Sequence, residues 1–268
     1  MWSLITVTYN SANRLREYWA DIELSDQYEW IVVDNGSTDD SISVAVGLGA
    51  RVIETGENLG FSRANNIGLR AARGDLILFA NPDLRVRTSD LPDLAQIIDR
   101  RGGLVSPRLT SPDGNYQYNG RGWPFLPWKV RNRLSASGAP TDYLRPATEE
   151  EYANVAWLTG ASVAARRVDF ELVDGWDESY FLYNEDVAIG LMARRCGLAV
   201  GIATQISWVH GWAREPAKWR LKPMLRELSS TFEFYRREPL FLTWPAQPWR
   251  STMDRYLNSR YGVGLELH

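Results

Sequence analysis

The chain has 268 residues, 44% of them hydrophobic and 24% charged, with a formal net charge of −3. That is enough chain for one large domain or two small ones around a packed core, and it excludes wholesale disorder. The near-neutral balance gives no reason to expect nucleic acid, and the single cysteine, Cys196, excludes an internal disulfide framework and a cysteine-based zinc site.

The opening "MWSLITVTYN" has no charged leader and no long apolar run, so no signal peptide is expected. No stretch approaches the roughly 18 apolar residues of a membrane span. The expected location is the cytoplasm, with attachment to the inner face of the plasma membrane left open. Cys196 reads as a small buried hydrophobe.

"SLITVTY" is β-branched and almost uncharged and predicts a buried strand. A helix is expected over Arg14 to Ile22. In "WIVVDNGSTDDS" a second strand, Trp30 to Val33, breaks into turn chemistry at Asp34-Asn35-Gly36-Ser37. "ARVIETG" reads as a third strand. In "NLGFSRANNIGLRAARG", Ala64, Ile67, Gly68 and Ala71 fall at helical spacing, and Gly74 suits the stop. "DLILFANPDL" supplies a fourth strand, and Leu91 to Arg100 another helix. Continuous apolar strands alternating with helices indicate a parallel sheet buried on both faces.

From Gly102 to about Glu151 the pattern weakens. A short strand and a turn at Pro112-Asp113-Gly114 lead into what reads as a long functional or mobile loop reaching Thr148. "VAWLTGASVAARR" predicts a strand, a helix follows from about Glu185 with Gly197 as its stop, and "AVGIATQISWVHGW" is a last strand region. The tail from Ala213 reads as partly helical.

In an open α/β sheet, ligands bind outside the carboxyl ends of the strands. Thr8-Tyr9-Asn10, Asp34 and Asn81-Pro82-Asp83 lie there. Asp34 can accept from the imide N–H of a pyrimidine, and Thr8 and Asn10 can bond a base or ribose. Asp83 is a hard oxygen ligand of the kind that holds Mg²⁺ or Mn²⁺ together with substrate phosphates; Asn-Pro-Asp is equally a good turn. Glu185 and Asp186 at a helix start read either as dipole compensation or as a general base. His210 is either a satisfied core histidine or a metal ligand beside Asp83. There is no GxGxxG, GxxxxGK[ST] or GxSxG, so dinucleotide, P-loop and nucleophile-elbow chemistry have no support.

Taken in order, "ITVTYN", "IVVDNGSTDDS", "NLGFSRANNIGLRAARGDLILFANPDL", "GWDESYFLYNEDVAIGLMARRCG" and "WVHGW" form a series. It resembles the family 2 glycosyltransferases with the GT-A fold, and within them the rhamnosyltransferase-like branch of bacterial polysaccharide and cell-wall assembly. The resemblance spans roughly residues 2–212. It implies an α/β GT-A nucleotide-diphospho-sugar transferase fold, a mostly parallel central sheet flanked by helices. Residues 1–212 would be the catalytic domain, with a nucleotide-sugar-binding half (1–101) and an acceptor and catalytic-base half (102–212). Residues 213–268 would be a helical, basic and aromatic extension. The reaction implied is inverting transfer of a sugar from a nucleotide diphosphate sugar to a hydroxyl of a glycan or lipid-linked glycan.

The same resemblance implies residue roles. Asp34 matches the aspartate that reads uracil or thymine, with Thr8, Tyr9 and Asn10 in the same pocket. Asn81-Pro82-Asp83 occupies the metal motif, with Asn81 where the first aspartate is expected; Asp83 and His210 would hold Mg²⁺ or Mn²⁺. Asp186 matches the base, with Glu185 the second choice. Asn58, Gly60, Arg63 and Asn66 would flank the donor diphosphate and sugar. Trp176 and Tyr180 would stack on acceptor sugars, Trp176 serving equally well as core. The first donor implied is dTDP-rhamnose, with UDP-sugars, UDP-galactofuranose among them, as alternatives.

Between Ala213 and Arg250 eight Lys or Arg face four Glu, with Trp219, Phe232, Phe234, Tyr235, Phe241, Trp244 and Trp249 interleaved. That composition fits either a surface that docks on anionic lipid or a helical cap packed on the catalytic domain. A membrane surface and a second copy of the chain are thus open as partners beside donor and acceptor.

Overall fold

The computed structural model describes residues 1–23, 25–134, 144, 150–211 and 221–243. Its elements in chain order are β1 (Trp2–Thr8), α1 (Ala12–Tyr18), β2 (Tyr28–Asp34), α2 (Ser41–Gly47), β3 (Arg51–Glu54), α3 (Phe61–Ala71), β4 (Leu76–Ala80), β5 (Leu84–Arg85) and α4 (Leu91–Arg101). There follow β6 (Leu104–Thr110), β7 (Tyr116–Gln117), β8 (Gly120–Arg121), α5 (Leu126–Leu134), β9 (Tyr152–Asn154), β10 (Trp157–Leu158) and β11 (Ser162–Arg166). The chain continues through α6 (Arg167–Leu172), α7 (Glu185–Arg195), β12 (Val200–His210) and α8 (Leu221–Arg237).

One sheet runs in the order β3-β2-β1-β4-β11-β6-β12-β5. Its first four strands are parallel, as continuous apolar runs such as LILFA require when both faces are covered. The parallel pattern gives way at β11, which runs antiparallel to β4 and β6. The two halves of the sequence thus share one sheet.

Side-chain alternation divides the core. Leu4, Val32 and Leu78 face α1, α2 and α4, where Trp19 and Trp30 stack with ring centroids 4.4 Å apart. Ile5, Ile31, Val33, Ile77 and Phe79 face α3, α6 and α7. A third cluster joins Trp123, Phe125 and Trp128 to Phe234, Tyr235 and Phe241 from α8 and the turn after it.

Several expectations are corrected. The helix expected over Arg14 to Ile22 is Ala12–Tyr18. Gly74 is not the stop of α3. The helix turns extended at Ala72, and the Gly74 N–H donates to Ser3 Oγ at 2.8 Å. The short strand expected after Gly102 is β6, and the turn at Pro112-Asp113-Gly114 follows it, but the segment beyond the turn is not one long loop. It holds β7, β8 and α5; residues 135–143 and 145–149 lie outside the described residues. Its order comes from aromatics that pack on α8, a contact across about a hundred residues that no local periodicity reveals. "VAWLTGASVAARR" is two strands, β10 and β11, with β10 paired to β8.

In the tail, Phe234, Tyr235 and Phe241 are buried in the third cluster and Phe232 is exposed. Trp219, Trp244 and Trp249 lie outside the described residues. No described helix is long and apolar enough to cross a membrane.

Asn66 locks α3 to the loop before α7. Its Nδ2 donates to the Trp176 carbonyl at 2.8 Å, and its Oδ1 accepts from the Trp176 N–H at 2.9 Å. Gly175, at φ +66°, gives the amide room, because a β-carbon there would strike Asn66 Oδ1. Replacing Asn66 with alanine strands two buried backbone groups. Unfolding free energy should fall by about 2–4 kcal/mol in chemical denaturation.

Candidate active site

The carboxyl ends of β1 and β2 are welded together. Parallel register sets Thr8 opposite Asp34. Thr8 Oγ1 donates to Asp34 Oδ1 at 2.9 Å, and the Ser37 N–H donates to Oδ2 at 2.9 Å, so the buried Asp34 closes the turn after β2. Asn10, at φ 51°, accepts the Thr38 N–H at 2.8 Å. Asn35 takes the Leu59 N–H at 2.8 Å and donates to Asn58 Oδ1 at 3.0 Å, which fixes the loop that carries Asn58 and Gly60. Gly60 is held at φ +89° with its α-carbon against the Phe181 carbonyl, a place no side chain fits.

Asn81 and Asp83 are set by the turn after β4. The Leu84 N–H donates to the Asn81 carbonyl at 3.1 Å, and β5 pairs with the end of β12, His210 opposite Leu84. That pairing brings the nearly buried Asp83 Oδ1 to 3.4 Å from His210 Nε2. Gln117 orients the imidazole. Its Nε2 donates to the His210 carbonyl at 2.9 Å, so its Oε1, 2.7 Å from Nδ1, takes the ring N–H there. The Nε2 edge is thereby turned to Asp83. Burial raises the Asp83 pKa, but the hydrogen bond and charge of His210 and the charge of Arg14 outweigh it and hold the carboxyl below its usual range.

Glu185 and Asp186 open α7. Two left-handed residues precede them, Tyr183 at φ 72° and Asn184 at φ 67°. Such backbone persists only where the surroundings hold it. Lys129 Nζ donates to Asn184 Oδ1 at 3.0 Å, Asn184 Nδ2 donates to Thr231 Oγ1 at 3.3 Å, and Ser230 Oγ donates to the Leu182 carbonyl at 2.8 Å. Burial, with the Asp186 charge beside it, pushes Glu185 up to about 8, and its Oε2 has no hydrogen-bond partner. Burial also raises Asp186; the Val187 N–H, Lys129, the Gly160 N–H and Arg121 oppose it.

These pieces meet in a cavity of about 590 Å³. Tyr9, Asn58, Gly60, Asn81, Asp83, Glu185, Asp186 and His210 line it; Thr8, Asn10 and Asp34 are bonded into the adjoining turns and do not line it. A larger cleft of about 1150 Å³ lies against α6, α7 and α8. It holds neither the strand ends nor the carboxylate–histidine pair, so the smaller cavity is the candidate site.

Seven expected contacts do not line that cavity: Thr8, Asn10, Asp34, Arg63, Asn66, Trp176 and Tyr180. Asn66 and Tyr180 line the other cleft, and Arg63 reaches Glu178 at 3.2 Å. Trp176 is core, edge-on to Phe61 and Phe79 at 5.3 Å, because its indole fills the space between α3 and β4. Tyr180 is buried among α7 and α8 side chains, with Arg237 5.6 Å from its ring centre. The residues missed from sequence are Arg14, Gln117, Lys129 and Arg226. "YQYNG" gave the only signal, polar residues alternating with aromatics at strand spacing.

The donor set fits a divalent cation completed by substrate. Asp83 and His210 converge, and no cluster of three or more His, Cys, Asp or Glu able to hold a metal occurs among the described residues. A carboxylate and an imidazole leave coordination positions for phosphate oxygens and water.

The model of Glycosyl transferase family 2 matches residues 3–146. The chain belongs to that family. It is 30% identical over 212 residues to the N-acetylglucosaminyl-diphospho-decaprenol L-rhamnosyltransferase of Mycobacterium tuberculosis, covering 70% of this chain and 68% of the relative. Rhamnosyltransferase WbbL of Escherichia coli K12 is 22% identical, with 88% and 92% covered. Among solved structures, the mannosyltransferase PcManGT from Pyrobaculum calidifontis, in complex with GDP-Man and Mn²⁺, superposes with a TM-score of 0.57 at 18% identity, covering 87% of this chain and 64% of that one. S. aureus TarS 1-349 in complex with UDP gives 0.56 at 18%, covering 78% of this chain and 59% of that one. The fold is that of GT-A glycosyltransferases, and the chain is a glycosyltransferase.

A carboxyl whose folded pKa, about 8, exceeds its ordinary value of 4.5 binds more protons folded than unfolded between those values. Stability therefore falls as pH rises through that window. Glu185→Gln removes the penalty. The variant should gain on the order of a few kcal/mol over the parent at pH 8 and little at pH 4, measured by denaturant unfolding across pH.

Proposed function

We propose that the chain transfers a sugar, with inversion, from a nucleoside diphosphate sugar to a hydroxyl of a glycan or lipid-linked glycan in bacterial polysaccharide or cell-wall synthesis. The observation that carries this reading is one cavity holding the Asp83–His210 pair and the Glu185–Asp186 pair. Rhamnose from dTDP-rhamnose is the favoured donor, in keeping with the rhamnosyltransferase names of the M. tuberculosis and E. coli relatives. A UDP-sugar donor is the alternative, since Asp34 and its neighbours would serve thymine and uracil alike. Residues 1–101 would serve the donor and residues 102–212 the acceptor.

Tyr9 and Asn58 line the end of the cavity beside the Asp34 turn, which suits the nucleoside. Asp83 and His210 would hold Mg²⁺ or Mn²⁺. The bound ion supplies charge neutralisation for the diphosphate as it leaves. Arg14, at the same end, adds a fixed positive charge.

Asp186 is the base. Burial raises both carboxyls; the Val187 and Gly160 N–H groups and the charges of Lys129 and Arg121 favour the ionised form of Asp186, whereas Glu185 Oε2 has no hydrogen-bond partner among the described residues. A buried carboxylate is a stronger base than one in water. Asp186 takes the acceptor hydroxyl proton as the oxygen bonds to the anomeric carbon. The bond from that carbon to the diphosphate oxygen breaks, and its electron pair leaves with the diphosphate. The single displacement inverts the centre. Holding the two substrates in line supplies much of the acceleration.

Two measurements test the reading. Asp186→Asn should lower transfer by about 10²–10⁴-fold, read as labelled sugar incorporated, while calorimetry finds the donor still bound; undiminished transfer would remove Asp186 as the base. Gln117→Ala releases the imidazole. Manganese affinity in the presence of nucleoside diphosphate should weaken about 10–100-fold.

A further inference from the structure

Helix α8 has three flanks, and two of them are occupied. Phe234 and Tyr235 pack into the third cluster, and the half-buried Glu227 lies on the same side as Phe234. Arg226 reaches the active-site cavity. The remaining flank carries Leu228 and Phe232, one helical turn apart, which are 58% and 72% exposed. Successive residues turn by about 100° round a helix, so Phe232 points about 120° away from Arg226. A single exposed apolar side chain is ordinary, but a stripe of them marks a surface that meets something apolar.

The neighbouring helix extends the stripe and charges its border. The Tyr235 hydroxyl donates to the Pro124 carbonyl at 2.9 Å, and Lys129 Nζ lies 5.8 Å from the centre of the Tyr235 ring. Tyr235 and Leu228 project within about 20° of each other round α8, so α5 runs beside the open flank. Val130 on α5 and Leu242 on the turn after α8 are exposed as well. Helix α5 carries Lys129, Arg131 and Arg133 and no acidic residue. Arg131 is exposed and meets no carboxylate within ion-pair distance among the described residues. On α8 itself, Glu233 is taken up by Arg236 and Arg237. The apolar stripe is thus bordered by positive charge that no described acid offsets.

We propose that this flank of α8, with α5 beside it, docks on an anionic lipid surface, Leu228 and Phe232 entering the acyl boundary and the α5 cations meeting the headgroups. Charge complementarity decides between lipid and a second copy of the chain. A two-fold contact through this face would set the α5 cations of both copies against each other. Four apolar side chains also fall short of the roughly 800 Å² per partner that a stable interface buries. A bilayer asks for less, because apolar insertion and attraction to anionic headgroups add, and neither need be strong alone. The tail read from sequence as either a lipid-docking surface or a helical cap; α8 serves as both, with different flanks. The inference stands apart from the glycosyl-transfer reading, since none of these side chains lines the cavity.

The test sediments the full chain with vesicles of phosphatidylcholine alone and of phosphatidylcholine mixed with phosphatidylglycerol. The parent should bind the mixed vesicles and not the neutral ones, and added salt should release it. Replacing both apolar side chains, Leu228→Ser with Phe232→Ser, should weaken binding about tenfold or more, whereas Phe232→Leu should keep most of it. Arg131→Glu reads the charge separately and should weaken binding about fivefold or more. If the double variant does not fold, Arg131→Glu and the salt dependence of the parent decide. No binding to the mixed vesicles, or equal binding to both kinds, overturns the docking face. So does undiminished binding in the double variant, which would give attachment to another part of the chain. A dimer found by sedimentation velocity without lipid, and lost in the double variant, would give the flank to a second copy and overturn lipid docking.

Discussion

Glu185 and Asp186 sit side by side at the start of α7, and both are kept largely from water. Adjacent carboxylates in a dry setting repel, and desolvation opposes ionising either one. The surrounding structure holds them against that cost. The loop before them takes two left-handed residues, and Lys129, Thr231 and Ser230 fasten it from α5 and α8. A site that needs a strong base at neutral pH has to store unfavourable electrostatic energy. Here it is stored in a helix start braced from two neighbouring helices.

The same requirement explains the third core cluster. The sheet and its helices already form two apolar layers, one on each face. Neither layer reaches the outer side of α7. Trp123, Phe125, Phe234, Tyr235 and Phe241 fill that side and fix α8 where its polar residues meet the loop before Glu185. Tyr235 adds a hydrogen bond to the Pro124 carbonyl at 2.9 Å. The described aromatics of the tail thus mostly serve to position the Glu185–Asp186 pair.

What was legible in the sequence follows from distance along the chain. The strands β1, β2 and β4, and the residues at their ends, announce themselves because parallel strands buried on both faces are locally apolar and break sharply into turns. Helix α7 was equally clear, from its acidic start to the Gly197 stop, which sits at φ +76°. The antiparallel insertion of β11 and the order within residues 102–134 were hidden, since both depend on partners far away. Trp176 and Asn66 show a further limit. An aromatic and an amide beside a functional motif can as well be the clasp that holds the motif, and only the bonds between them distinguish the cases. Arg14, Lys129 and Arg226 carried no local pattern that separated them from other polar residues, and Gln117 had only the alternation of its own short stretch.

Asn81 bears on how metal and donor would bind. The family resemblance leads one to expect an aspartate there, and asparagine removes one negative charge from the cavity. His210 restores a donor atom but, as a neutral imidazole, not the charge. The protein's own ligand set then carries one negative charge, on Asp83, with Arg14 opposing it. A doubly charged cation is held weakly by such a set in water, where oxygen ligands compete on equal terms. The donor diphosphate brings the missing charge and the remaining oxygens. On this reading neither metal nor nucleotide has a complete site without the other, and by linkage each raises the affinity of the other by the same factor. With Asp83 and His210 as the proposed ligands, asparagine at position 81 would make the cation a companion of the donor and leave the cavity by itself with little hold on it.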